Sequence, residues 1–433
     1  MLPPLSIAPR TRFVARHGSR YVSLSDRRLF KIEPLLTDRD PSKPLVFIIA
    51  GEASGDNIAA KLMAALRTKT AGNVHFAGVG GEAMAAQGLT SLFPMRDLSL
   101  MGMAEILPHL PRLIRRLRST IKAIKGLAPA VVVTVDSPGF CFRVAKRIRH
   151  LNIPVVHYVA PQLWAWRPQR GHELPGMINH LLALLPFEPA FFETYGVPCT
   201  FVGHPAVDAG LADGDGPKFR AQHGIADIAP VITVLPGSRR TEVRRLLPVF
   251  GRALDILAAR NPQIHAVIPT VEAVADSVRL GVAQWKVSAS IITDRAEKID
   301  AFAASIAAIT KSGTVTLELA LAGVPMVVSY KVNPLTALVV RRMLRVDDVA
   351  LVNLLAGERL VPEFLQERCT PQALAAAVSE LLEQTEKRQA QRAGLAAVVD
   401  QLGGGSPGPS ERAADVVISW IGRGSSRHKT AGG

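Results

Sequence analysis

The chain is short of cysteine. Three thiols, Cys141, Cys199 and Cys369, are scattered over 433 residues. Their spacing fits neither a zinc ligand set nor a disulfide framework, so a reducing compartment is the default expectation. Long apolar runs are missing as well. None reaches the roughly 18–20 residues that a bilayer-spanning helix needs, so the sequence reads as soluble or peripheral. Acidic residues are outnumbered, 36 against 51 Lys and Arg, for a formal net charge of +15. That balance suits nucleic acid or an anionic membrane. No helix-turn-helix, zinc-finger or RNA-binding signature accompanies it, so no nucleic-acid partner is expected. Residues 1–43 carry Arg10, Arg12, Arg16, Arg20, Arg27 and Arg28 but no apolar core of a signal peptide. They are expected to be a basic, disordered extension.

What is present is alternation. A composition 48% hydrophobic supports large buried cores, and the length suggests two or three domains. Apolar, β-branched runs begin at Leu45 and recur at 74–77, 130–135, 154–159 and 181–185. After a Gly- and Asp-rich stretch, Asp208 to Asp227, they resume at 231–235, 264–269, 289–293, 305–310 and 326–330. Helical periodicity separates them. Consecutive βα units of this kind predict an α/β chain of two Rossmann-like, doubly wound domains facing a central cleft. The predicted bounds are 44–210 and 211–400, with 401–433 a short helix, Ala413 to Ile421, and a disordered tail.

Turns after the strands hold the candidate chemistry. Leu235-Pro236-Gly237-Ser238-Arg239 follows one strand, and Ser312-Gly313-Thr314 follows another. Small and hydroxyl residues opening a helix leave N–H groups free for phosphate, and Arg239 suits a bidentate phosphate contact. Glu318, one turn on, is placed for a ribose. In the first half, Gly51-Glu52-Ala53-Ser54-Gly55-Asp56 follows the first strand. Asp136 ends another, as a general-base candidate or a turn cap. Trp164, Trp166 and Arg167 suit sugar stacking with an anion contact, or core packing. The Gly78–Gly81 run fails as a dinucleotide fingerprint because its third glycine is out of place. Residues 107–124 put Leu, Ile and Leu at spacings of three and four, with Arg112, Arg115, Arg116, Arg118, Lys122 and Lys125 largely on the rest. Leu98, Leu100, Met101, Met103 and Ile106 precede them and suit acyl chains or a lipid surface.

Nine stretches in order carry a resemblance: AGEASGD (50–56), LMGMAEIL (100–107), VDSPGF (135–140), YVAPQLWAWR (158–167), LPFE (185–188), FVGHP (201–205), LPGSR (235–239), SGTVTLE (312–318) and NLLAGE (353–358). Together they resemble the lipid-A-disaccharide synthase family. The resemblance implies an inverting, two-Rossmann (GT-B) glycosyltransferase that uses no metal and no cofactor. It would join UDP-2,3-diacylglucosamine to 2,3-diacylglucosamine 1-phosphate through a β-1,6 bond, on the cytoplasmic face of the inner membrane. By the same resemblance Asp136 is the base, with Glu52 and Ser54 beside it on the acceptor side. Gly237, Ser238, Arg239, Ser312, Gly313, Thr314, Glu318 and Asn353 hold UDP. Met101, Met103, Trp164, Trp166, Arg167 and His204 serve the acceptor and its acyl chains. The implied partners are the two lipid substrates, an anionic membrane surface and a second copy as homodimer. Family members often carry Asp-Phe-Asn where this chain has Gly139-Phe140-Cys141, which leaves Asp136 as the one carboxylate of that turn. Two rivals stand beside this reading: a UDP-sugar 2-epimerase of the same fold, and a non-catalytic basic membrane-binding protein.

Overall fold

Leu45–Ala50 is apolar throughout and buried throughout, which is how a strand covered on both faces reads. It is β1. Its side chains alternate between two cores. Phe47 and Ile49 face one with Val144 and Ile148; Val46 and Ile48 face the other with Leu62 and Met63. The computed structural model describes residues 40–98, 103–333 and 348–430, with side chains described except at 103–109 and 423–430.

Five more strands join β1: β2 His75–Val79, β3 Val131–Val135, β4 Val155–Tyr158, β5 His180–Ala183 and β6 Cys199–Phe201. All pair in parallel, in the order β2-β1-β3-β4-β5-β6. A second parallel sheet holds β7 Val231–Leu235, β8 His265–Pro269, β9 Ser288–Ile292, β10 Ala307–Lys311, β11 Met326–Tyr330 and β12 Glu363–Leu365. Its order is β12-β11-β10-β7-β8-β9. Strand order reverses between β1 and β3 in one sheet and between β7 and β10 in the other. Ligands of doubly wound sheets bind in the crevice at such points, beyond the strands' carboxyl ends. The two-Rossmann α/β architecture expected from alternation is the one observed.

The Gly- and Asp-rich stretch Asp208 to Asp227, a linker by its composition, is structured. Gly216–His223 is a helix, capped by Asp215, whose Oδ1 accepts from Lys218 N at 2.9 Å, and anchored by buried Phe219. Asp215 starts this helix and Gly224 ends it, and such caps share a linker's composition. The last helix is also longer than its apolar pattern predicts. It runs Pro409–Thr430, so residues 423–430, expected as tail, are helical. Pro is well suited to a first helical position, and it starts this helix four residues ahead of Ala413.

That helix returns to the first sheet. Ala413, Ala414, Val417 and Ile421 pack into the core that holds Ile48 and Leu62. Arg412 secures the return: its Nε donates to Val202 O at 2.8 Å, and its terminal nitrogens donate to Gly403 O and Pro407 O. Gly203 has φ +91°, and a Cβ there would stand 2.3 Å from the Arg412 guanidinium, so the clasp requires glycine. Between the sheets, Leu185 and Leu211 share one apolar cluster with Leu235, Leu317, Leu319 and Val352. The carboxyl ends of the two sheets therefore face each other. No described helix is long and apolar enough to cross a membrane.

Candidate active site

The crevice of the first sheet is built under backbone strain. Asp136 and Ser137 both lie in the left-handed region, at φ +52° and +48°. Two consecutive non-glycine residues there cost on the order of 1–3 kcal/mol each. Local bonds hold them. Asp136 N donates to Tyr158 O at 2.9 Å, and Asp136 Oδ1 accepts from Ser137 N at 2.7 Å. Pro138 then starts the next helix, Pro138–Ile148. The kink lifts the half-buried Asp136 out of the line of β3 at the switch point. Gly51 is required opposite, since a Cβ there would meet Ser137 Oγ at 2.3 Å. Glu52 follows as the N-cap of the helix Ala53–Lys69, and Ser54 lies exposed in its first turn. Burial raises the Glu52 carboxyl above the ordinary range, nearby Asp136 raises it further, and Arg239 opposes them from the second sheet. These three charges form one electrostatic neighbourhood across the cleft.

Asp56, in the first turn of the same helix, is spent on structure. Its carboxylate accepts from Gly81 N at 2.7 Å, Ala83 N at 2.9 Å and Met84 N at 3.2 Å. It caps the helix Glu82–Ala86, and Gly81 makes room for it, since a Cβ there would stand 2.6 Å from Asp56 Oδ2.

In the second sheet a cavity of about 360 Å³ opens at the ends of β7 to β10. Gly237, Ser238, Gly313, Thr314 and Glu318 line it, together with two residues that sequence reading missed, Glu242 and Lys298. The helix after β7, Arg240–Ala258, has Arg239 as its N-cap. Glu242 Oε2 accepts from Ser238 N at 3.2 Å, while Oε1 lies 3.4 Å from Arg239 Nη1 and 3.2 Å from Lys311 Nζ. Lys298 pairs with Glu318. An acid three residues after Arg239 was a visible helix-start signal; the pairs that Lys298 and Lys311 make are tertiary and left none.

Two residues expected to hold UDP point elsewhere. Asn353, 2% exposed, donates from Nδ2 to Val361 O at 2.9 Å and to Glu363 Oε1 at 2.8 Å, and its Oδ1 accepts from Val361 N at 2.8 Å. Both its amide hydrogens and its oxygen are consumed inside the fold. The Ser312 hydroxyl donates to Val349 O at 2.8 Å, so of that turn the Gly313–Thr314 side faces the cavity.

The acceptor-side expectations divide likewise. Trp164 stacks edge-on against Phe187, with ring centroids 4.9 Å apart, within the apolar cluster between the sheets. Its Nε1 donates to Glu188 Oε1 at 3.2 Å. Glu188 also accepts from Leu184 N and Leu185 N, and burial pushes its carboxyl up to about 7. The LPFE stretch is thus a buried brace for Trp164. Trp166 is 44% exposed, with the Arg167 guanidinium 4.7 Å above its ring, and both remain open to a ligand. His204 is buried, which lowers its pKa to about 4 although Glu318 of the second sheet opposes this. Its Nδ1 accepts from Ala206 N at 3.2 Å, so by that bond the proton belongs on Nε2. A neutral ring in that tautomer offers an N–H and no lone pair for proton abstraction. Met101 lies outside the described residues. Met103 begins the helix Met103–Leu127, and its side chain is not described.

That helix shows an amphipathic face. Leu110 and Ile114 are exposed at 47% and 41%, and Arg112, Arg115 and Arg118 are exposed beside them. Arg116 leaves the basic set. It is buried, pairs with Asp97 at 2.6 Å and lies 4.8 Å from the Phe93 ring. Among the described residues, no three His, Cys, Asp or Glu side chains gather as a metal site.

Comparison with known proteins follows the same lines. A family model described as lipid-A-disaccharide synthetase matches residues 46–414. A lipid-A-disaccharide synthase of Rhodospirillum centenum is 53% identical over 382 residues, covering 88% of this chain and 95% of that one. One of Gluconobacter oxydans is 48% identical over 377 residues, covering 87% and 91%. The solved UDP-GlcNAc 2-epimerase from Neisseria meningitidis bound to UDP-GlcNAc superposes with a TM-score of 0.57 at 14% identity, covering 88% of this chain and all of its own. That likeness is one of fold alone, and neither rival reading is favoured. With a match along both sheets and relatives of this identity, the chain belongs to the lipid-A-disaccharide synthase family.

Proposed function

We propose that the chain transfers a diacylglucosamine unit from its UDP conjugate to the 6-hydroxyl of a diacylglucosamine 1-phosphate, forming a β-1,6 bond and releasing UDP. The observation that carries this is the cavity lined by Gly237, Ser238, Gly313 and Thr314, which opens at strand ends that the cluster of Leu185, Leu211 and Leu235 brings opposite the first sheet's crevice, where Arg239 acts electrostatically on Glu52 beside Asp136. Asp136 takes the hydroxyl proton as that oxygen attacks the anomeric carbon. The bond to the UDP oxygen breaks with its electron pair, and configuration at the carbon inverts. Ser238 N–H, Arg239 and Lys311 receive the charge that develops on the diphosphate. Glu318 holds the ribose. Glu52 and Ser54 position the acceptor, with Trp166 and Arg167 at the rim.

Both substrates carry acyl chains and must be drawn from a lipid surface. The exposed Leu110 and Ile114 beside Arg112, Arg115 and Arg118 support contact with an anionic membrane, and the inner face of the inner membrane is the proposed place of work. The test is incubation with both lipid substrates, read by mass spectrometry for the disaccharide and by assay for free UDP. UDP and disaccharide should appear together and only with the acceptor present. An epimerised UDP-sugar, or UDP released without acceptor at the same rate, would overturn the proposal.

A further inference from the structure

One carboxylate beside the cavity has no part in the reaction as proposed. Glu242 lies over the turn 237–239, and every group it touches there is one assigned to the diphosphate: Ser238 N–H, Arg239 and Lys311. Gly237 makes room for it, because a Cβ at that position would stand 2.3 Å from Glu242 Oε2. Its grip is loose. The three contacts measure 3.2, 3.4 and 3.2 Å, against about 2.7–2.9 Å for well-made charge-assisted bonds. Asp56 shows the alternative, a carboxylate drawn to 2.7 and 2.9 Å from the amides it caps. The Arg239 side chain is 58% exposed and free to swing, whereas Glu242 is 15% exposed. Glu242 Oε1 also joins the two crevice turns, through Arg239 after β7 and Lys311 at the end of β10.

We infer that Glu242 is an internal anion that competes with the nucleotide diphosphate for Ser238 N–H, Arg239 and Lys311, and so sets how tightly UDP is held and how readily it leaves. The inference rests on the reading that UDP binds at this turn. Without ligand, the carboxylate keeps two like-charged side chains gathered. A diphosphate displaces it, since two anions cannot share these donors without repulsion. After transfer the carboxylate returns to the cations as UDP departs.

Calorimetric titration with UDP tests this on the full chain. Glu242→Gln keeps the length and an amide oxygen for Ser238 N–H but removes the charge. UDP should bind it roughly three- to tenfold more tightly than wild type, the size of one or two partly solvated ion pairs. The inhibition constant of UDP as product should fall by the same factor. Unchanged or weaker binding, with the unliganded thermal midpoint intact, makes Glu242 a brace and overturns the inference. Should Glu242→Gln fail to fold, Glu242→Asp withdraws the charge by one methylene and should tighten UDP to a smaller degree; no tightening is again fatal. Arg239→Ala in the same experiment should weaken UDP roughly ten- to a hundredfold. Equal binding by Arg239→Ala would remove the site reading, and this inference with it, by a result that does not depend on Glu242.

Discussion

The two crevices solve one backbone problem in different ways. Each must turn sharply from a strand into a helix at a switch point. The first sheet does so with Asp136 and Ser137 in the left-handed region, where a side chain costs energy; the second does so with Gly237 at φ +116° and Gly313 at φ +156°, where it costs little. The contrast follows from what each turn offers. The proposed base must be a side chain, so its turn carries one and bears the strain. The proposed phosphate cradle relies on N–H groups, and glycine lets that backbone approach a ligand closely. On that reading strain accompanies proton chemistry, and glycine accompanies binding.

The strongest way to break that comparison is Asp136→Asn. Asn tolerates the left-handed region and nearly matches the shape, so the fold and UDP binding should persist. Without a base, kcat should fall about 10²- to 10⁴-fold. A kcat within about threefold of wild type together with a lowered thermal midpoint would make Asp136 a turn cap, and the comparison would fail. A middle-sized effect sharpens the other half. Asn353→Ala should cost on the order of 1–3 kcal/mol of stability, because Glu363 and the Val361 amide lose buried partners. UDP affinity per folded molecule should stay the same; weakened affinity at an unchanged midpoint would return Asn353 to the ligand. The smallest effect per residue belongs to the proposed membrane face on the helix Met103–Leu127. Reversing Arg112, Arg115 and Arg118 should weaken binding to anionic vesicles at low salt by about 1 kcal/mol per charge. Vesicle sedimentation reads this, and equal binding would move the contact elsewhere.

The strands were legible because parallel strands are covered on both faces and so read as unbroken apolar runs; Val231–Leu235 and Met326–Tyr330 fall where expected. The crevice turns were legible because glycine and hydroxyl residues must follow those runs. What escaped was the fate of individual polar side chains. Asn353 reads like a ligand-binding residue until Glu363, ten positions on, is seen to absorb it. Glu242 and Lys311 belong to different βα units, and no local pattern announces their pairing. The Gly216–His223 helix was hidden by its own caps. Periodicity reports burial, and it is silent on which donor meets which acceptor.

The return of the final helix has a consequence for how this molecule is made. A nascent chain released as far as Gly403 has already produced every strand of both sheets. Its first sheet is still unfinished, because Ala413, Ala414, Val417 and Ile421 have not arrived to cover the face that includes Ile48. The half that emerges first from the ribosome is the half completed last. Contacts that join such distant parts of a chain slow folding, since the loop must close before they form. A stop codon or protease cut just before Pro409 would therefore injure the domain farthest from it in sequence.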